Sequence, residues 1–353
     1  MTGSGAKRES TTTTLCPETT VSRQPPANLR EPDVGLFRHE FEKTIPAARL
    51  IRVNNVRVSP EGILIKGGKI LPESFAFPFL RDEWKTRSVV KLLGRNYLFR
   101  KVSDLQEEAV WITDAWSTGY FHWLADVLSK LYLIRDLARE RIVLLPQAYS
   151  LFDFVRPSLA AFEIQKVQFM NAGEVVRCQK LLLPTPVAPS GHFRNEVIQG
   201  VRRQLLAHFG AGEPNANRRI YISRARAPKR RISNEDEVLS VLQKLDFEIV
   251  YAEDLAFVEQ VKLFSQARYL VSNHGAGLTN MLFLQDGGSV LELRHHTDRI
   301  NHCYFTLASA LNLNYFYQKC DPLAPDEDAH TADLTVDVEQ LKQNLEQMTR
   351  DPR

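Results

Sequence analysis

Through residues 219–293, short runs of β-branched and aromatic residues alternate with stretches of helical period, and no other feature limits the fold as tightly. The pattern predicts strands over 219–223, 247–251, 269–272 and 289–293, separated by helices from 233 through 242, over 257–266 and over 277–284. A helix between two strands carries the chain back along the sheet, so the strands run parallel and the helices cover both faces. Residues 233–236 have the spacing of a capping box, with Asp236 in place of the usual Glu. The last amphipathic run, 336–348, is expected to pack back on the body of the protein.

Upstream, residues 50–53 with 56–58, 63–66, 97–99 and 109–112 read as strands. The period then changes: Phe121, Leu124, Leu128, Leu131 and Ile134 fall at helical spacing, which predicts a long buried helix over 118–139. Strands at 142–145, 175–176 and 181–183, a helix near 151–162 and another over 195–209 follow. The Gly/Pro/Asn cluster at 210–217 reads as a linker. Residues 1–33, rich in Thr, Ser and Pro, are expected to form a disordered tail. With 353 residues the chain has room for two domains. The expected layout is a tail (1–33), an N-terminal acceptor-side lobe (34–210), a linker (211–217), a C-terminal nucleotide-sugar-binding lobe (218–330) and a final helix (331–353).

A net charge of +3, from 45 basic and 42 acidic residues, is too small to make nucleic acid the main partner, although 224–231 is locally basic. Four scattered cysteines without a C-x-x-C pair support neither a zinc ribbon nor a dithiol redox site, and fit a reducing compartment. No apolar run is long enough to span a bilayer, and the N-terminus lacks the apolar core of a signal peptide. The expectation is a cytoplasmic protein, with peripheral membrane association through a partner left open.

The sharpest local signal is the turn His274, Gly275, Ala276, Gly277, which leads from an apolar strand into a helix and continues to Asn280. Backbone N–H groups and the positive helix end would converge on one spot, as a phosphate requires, and the two glycines permit close approach. An ordinary tight turn with a satisfied histidine is the alternative. Asn280 stands where a dinucleotide fingerprint needs its third glycine, which disfavours NAD. No G-x-S-x-G elbow occurs, which disfavours serine hydrolysis. Ser223 and Arg224, at a predicted strand end, are candidates for the same phosphates; Arg231 either joins them or is a solvated loop residue. His122 and Asp126 share a face of the predicted helix, either as a satisfied buried pair or as a general base and its orienting partner, in either order. Glu292 either binds donor hydroxyls or is a structural carboxylate.

These residues resemble glycosyltransferase family 61. The similarity is best over 219–293, in the Tyr221-Ile-Ser223-Arg224 strand end, the basic loop, and the run from His274 through Asn280 with Glu292 beyond it. The segment from Tyr120 to Asp126 is similar to the family's N-terminal-half signature. The resemblance implies an α/β GT-B fold of two Rossmann-like lobes with the active cleft between them. It also implies inverting transfer without a metal or other cofactor, from a nucleotide-sugar, of which a UDP-sugar is the first expectation, to a glycan hydroxyl. The sugars moved in the family include xylose, N-acetylglucosamine and arabinose. The chain departs from the common pattern at Asn273 and at Gln285-Asp-Gly. A non-catalytic nucleotide- or glycan-binding subunit on the same fold is the competing expectation.

Overall fold

The structure, a computed structural model, describes residues 10–75, 100–212, 216–324 and 328–350. The strand expected at 97–99 lies outside the described residues. Residues 10–33 do not form a disordered tail. Strand β1 (Ser10–Cys16) pairs antiparallel with β4 (Ala48–Val58), and β2 (Thr19–Ser22) pairs with β3 (Glu42–Ile45). The threonine run that looked like low complexity is also a run of β-branched side chains, and a waiting sheet edge turns that propensity into a strand.

The contacts divide the chain into two compact units, residues up to Thr19 with Pro46–Ser190, and Thr20–Ile45 with Gly191–Arg353. This corrects the expected boundary at 211–217. Helix Asn195–Phe209 forms as read from the sequence, ending on a left-handed Gly210, but it belongs to the second unit. Its Arg202 donates to the carbonyls of Leu284 and Leu311. A Gly/Pro/Asn cluster marks a turn, and nothing local tells a turn within a domain from one between domains.

The first unit is built on a mixed sheet. Strands β5 (Leu64–Lys66), β6 (Lys69–Ile70), β7 (Lys101–Val110), β8 (Ile142–Pro146), β9 (Val167–Met170) and β10 (Glu174–Pro184) join β4 in the order β6-β5-β4-β10-β7-β8-β9. The run β10-β7-β8-β9 is parallel, while β10-β4-β5-β6 is antiparallel, so only half of this sheet is Rossmann-like. Between β7 and β8 lies the long helix: α-helical Tyr120–His122, a π-helical turn Trp123–Val127, and α-helix Leu128–Ala138. Leu124, Leu128 and Leu131 are wholly buried, as their spacing requires. The helix expected near 151–162 is shorter, Val155–Ala161.

The second unit holds the alternating α/β segment. Strands β11 (Arg218–Ile222), β12 (Glu248–Val250), β13 (Ala267–Asn273), β14 (Ser289–His295), β15 (Asn314–Pro322) and β16 (Leu334–Thr335) form one sheet in the order β12-β11-β13-β14-β15-β16. All neighbours are parallel except the last pair. Helices Glu235–Lys244 and Val338–Arg350 share a core with one face through Val238, Leu242, Leu341, Leu345 and Met348. The first of these helices lacks the capping box: Ser233 Oγ bonds to Leu334 and Thr335 instead, a long-range contact that outcompetes the local one. The predicted helix at 277–284 is a 3-10 helix, Ala276–Phe283.

Candidate active site

In the second unit, β11 is flanked by β12 on one side and β13 on the other, and β14 and β15 continue beyond β13. The chain therefore leaves β11 and β13 toward opposite faces, and a crevice opens beyond their carboxyl ends, where ligands of open α/β sheets bind. The residues at those ends are Ser223 and Arg224 after β11, and His274 and Gly275 after β13. The sequence thus selected the two turns at the switch point.

Their side chains divide the work differently from the expectation. Arg224 lies over Gly275: a Cβ there would sit 2.5 Å from Arg224 Nη1 and 2.9 Å from its Cζ. The guanidinium is held by the carbonyls of Arg230 (3.3 Å) and Lys229 (3.2 Å) and makes no ion pair among the described residues. Burial lowers its pKa from the ordinary value, and the neighbouring Arg230 lowers it further. Glu253 acts on Arg224 from nearby without forming an ion pair with it, and two neighbouring guanidiniums so placed have the chemistry to bind a multivalent anion. Arg230 has a left-handed backbone (φ 58°) and a buried Nε without a hydrogen-bond partner. Sequence reasoning passed it over for Arg231, which is half exposed and pairs with Asp333 at 3.0 Å, away from this role. Nothing in a run of three basic residues says which one turns inward.

Ser223 is also corrected. It is buried, and its Oγ donates to Glu235 at 2.8 Å, beside Tyr221 Oη on the same oxygen, so it secures the strand end to the next helix. Asn280 is wholly buried with its amide on Gln260 (2.9 Å) and cannot reach a ligand. Gly277 faces the core: a Cβ there would approach Ile222 Cγ2 to 3.1 Å. Ala276 is exposed, and the N–H groups of Ala276 and Gly277 open the 3-10 helix without an intrahelical acceptor.

His274 is buried between fixed partners. Its Nδ1 donates to Glu292 Oε1 at 2.5 Å, and its Nε2 accepts from Asn301 Nδ2 at 2.9 Å. This network sets the tautomer, with the proton on Nδ1. Glu292 is wholly buried and takes a second bond from Tyr315 Oη, so it is the structural carboxylate of the two readings. Burial alone would raise its pKa, but His274, Arg294 and Tyr315 outweigh that and hold it below the ordinary value. With both ring nitrogens occupied, His274 shapes the turn and offers no free donor.

The first unit has its own switch point, because β7 is flanked by β8 and β10. The residues that follow β7 and β10 there include His122, Asp126 and Ser190. His122 Nδ1 donates to Asp126 Oδ2 at 2.8 Å, and Ser190 Oγ donates to the same oxygen at 2.7 Å. The proton is thereby fixed on Nδ1, and Nε2 keeps its lone pair, with no partner among the described residues. Asp126 sits on the π-helical turn, a local feature frequent at functional sites. Gly119 makes room for the ring: a Cβ there would lie 3.3 Å from His122 Cδ2. Ser190 is 64 residues from Asp126, and no local signal predicts their meeting. Among the described residues no cluster of three or more His, Cys, Asp or Glu is arranged to hold a metal, and no helix is long and apolar enough to cross a membrane.

Residues 120–291 match the Glycosyltransferase 61 family model. The chain is 34% identical to the EGF domain-specific O-linked N-acetylglucosamine transferase of Drosophila melanogaster, over 31% of the chain and 21% of the relative. It is likewise 34% identical to the protein O-linked-mannose beta-1,4-N-acetylglucosaminyltransferase 2 of Bos taurus, over 37% of the chain and 25% of the relative. The matched segment spans about a fifth to a quarter of these curated relatives. The segment that matches glycosyltransferase family 61, residues 120–291, holds both the His122 pair and the Arg224 and His274 turns.

Proposed function

We propose that the chain is an inverting, metal-independent glycosyltransferase that moves a sugar from a nucleotide-sugar to a hydroxyl of a glycan acceptor. Both named relatives are N-acetylglucosamine transferases, which makes UDP-N-acetylglucosamine the first donor to test. The observation that carries the reading is the His122 imidazole, whose Nδ1–H is committed to Asp126 and whose Nε2 is left as a base. In this reading His122 Nε2 takes the proton of the acceptor hydroxyl. The acceptor oxygen bonds to the anomeric carbon from the face opposite the leaving group, and the bond to the diphosphate oxygen breaks with its electron pair. Asp126 then stabilises the imidazolium, and Ser190 keeps Asp126 in place. Arg224, Arg230 and the N–H groups of Ala276 and Gly277 neutralise the leaving diphosphate, the part a metal plays elsewhere. A GT-B arrangement of the two units belongs to the same proposal.

The test is UDP release from UDP-N-acetylglucosamine with a glycan acceptor panel, for the unaltered chain and for His122→Gln and Asp126→Asn. His122→Gln should abolish turnover while calorimetric UDP binding stays intact; Asp126→Asn should reduce turnover without abolishing binding. Turnover that survives His122→Gln would remove the histidine from the base role.

A further inference from the structure

Asn273, the last residue of β13, has no part in the reaction above, although it is wholly buried directly before the His274 turn. Its side-chain amide faces the loop that carries the arginines. Nδ2 donates to the backbone carbonyl of Arg230, and Arg224 Nε donates to that same oxygen at 3.3 Å. One carbonyl, through its two lone pairs, thus holds the amide and the guanidinium side by side.

The carbonyl belongs to a residue whose backbone is left-handed, with φ 58°. Sterics disfavour that conformation for any side chain with a Cβ, and it persists only where neighbours hold it. Beyond Arg230 the loop is fastened to a different strand: the Arg231 N–H donates to Asp333 Oδ1 at 2.8 Å, and the Leu334 N–H donates to the Arg231 carbonyl at 2.8 Å. Asn273 ties Arg230 itself to β13. The bond carries a penalty of its own, because Asn273 Oδ1 is buried without a hydrogen-bond partner among the described residues, and this offsets much of what Nδ2 gains. Neutrality matters here as much as the N–H. The amide adds no charge beside Arg224 and Arg230, whereas a carboxylate in its place would oppose the Arg230 carbonyl and pair with a guanidinium.

We propose that Asn273 is a positioning residue for the diphosphate of the donor: by holding the Arg230 carbonyl it fixes the backbone of one arginine and the guanidinium of the other, and leaves both charges to the ligand. The inference rests on the donor reading of Arg224 and Arg230, and its test separates the two. UDP and UMP are titrated calorimetrically into the full chain, Asn273→Ala, Asn273→Asp, Arg224→Ala and the Arg224→Ala/Asn273→Ala double variant, each with a thermal melt. NMR follows the exchange of the Arg224 Nε–H, assigned by its loss in Arg224→Ala.

Asn273→Ala should weaken UDP binding about tenfold, the equivalent of one hydrogen bond to an anionic oxygen, with UMP less affected and the melting temperature barely moved. Asn273→Asp should weaken UDP further. In the Arg224→Ala background the loss from Asn273→Ala should shrink, because the two side chains act through one carbonyl. The Arg224 Nε–H should exchange faster in Asn273→Ala than in the unaltered chain. UDP affinity unchanged in Asn273→Ala but lost in Arg224→Ala would overturn the positioning role and leave the arginines on the diphosphate. Losses that simply add would overturn it too, as would a large drop in melting temperature with the affinity of the folded protein intact. If the unaltered chain binds neither nucleotide, the donor reading fails, and the Arg224 Nε–H decides alone: faster exchange in Asn273→Ala sustains the hold on Arg224, and unchanged exchange overturns it.

Discussion

Gly275→Ala is the most informative single substitution at the donor turn, because its effect follows from one distance. The new methyl would lie 2.5 Å from Arg224 Nη1, so the guanidinium must retreat by about 1 Å to reach ordinary contact. The backbone can accept alanine, since Gly275 is extended (φ 164°, ψ 170°). The displaced group is the far end of a flexible side chain held by two long hydrogen bonds, of 3.2 and 3.3 Å. Stability should therefore fall by no more than about 1 kcal/mol, or roughly 2–4 °C in melting temperature. Binding of a diphosphate should suffer more. Losing one hydrogen bond between Arg224 and an anionic oxygen costs about 1.5–3 kcal/mol, which is roughly ten- to 150-fold in Kd. Calorimetry with UDP and a thermal melt of the same sample measure both quantities. Gly277→Ala is the control: its methyl meets core Ile222 at 3.1 Å, so it should lower the melting temperature and spare the affinity of the folded protein. UDP affinity unchanged in Gly275→Ala would refute the placement of Arg224 on the diphosphate.

Three further outcomes follow from the geometry. Arg230→Ala should weaken UDP binding about as much as Arg224→Ala, whereas Arg231→Ala, which removes only an exposed pair with Asp333, should leave it within twofold; the reverse order in calorimetry would return Arg231 to the site. Gly119→Ala places a methyl 3.3 Å from the His122 ring at a backbone conformation open to alanine (φ −76°, ψ 137°), so kcat should drop while the melting temperature barely moves; an unchanged kcat would show that the ring tolerates the shift. The fold should weaken in mild acid: burial and Arg294 hold His302 down to about 4, and burial, against an opposing Glu40, holds His192 there too, below the ordinary 6.5. Between those values the unfolded chain binds protons that the native state refuses, so stability is flat above pH 7 and falls toward pH 4, by about 1.4 kcal/mol per pH unit for each histidine. Below that window the lowered carboxylates of Glu292 and Asp114 add a further loss as they protonate. Denaturant midpoints that do not change from pH 7.5 to 5 would contradict this.

The strands and helices of the second unit were legible from the sequence because each is set by a local period. Strand β11, helix Asn195–Phe209 and the His274 turn fall within a residue or two of the reading. The order β12-β11-β13 was not legible, since pairing between parallel strands depends on which faces the intervening helices cover. Yet that order is what brings the Arg224 and His274 turns to neighbouring strand ends.

Patterns along the chain also misread whatever depends on distant partners. Residues 10–22 looked like a tail because the strands that pair with them come later, and residues 20–45 join a unit whose remainder begins at Gly191. Ser223, Arg231 and Asn280 have the residue types of ligand contacts, but Glu235, Asp333 and Gln260 claim them in the fold. The sequence by itself determined the chemistry available: an imidazole four residues before a carboxylate on a buried helix, and a glycine turn near a run of arginines. Tertiary structure alone decided which groups remain free to act, because a polar side chain is functional only when no neighbour has already satisfied it.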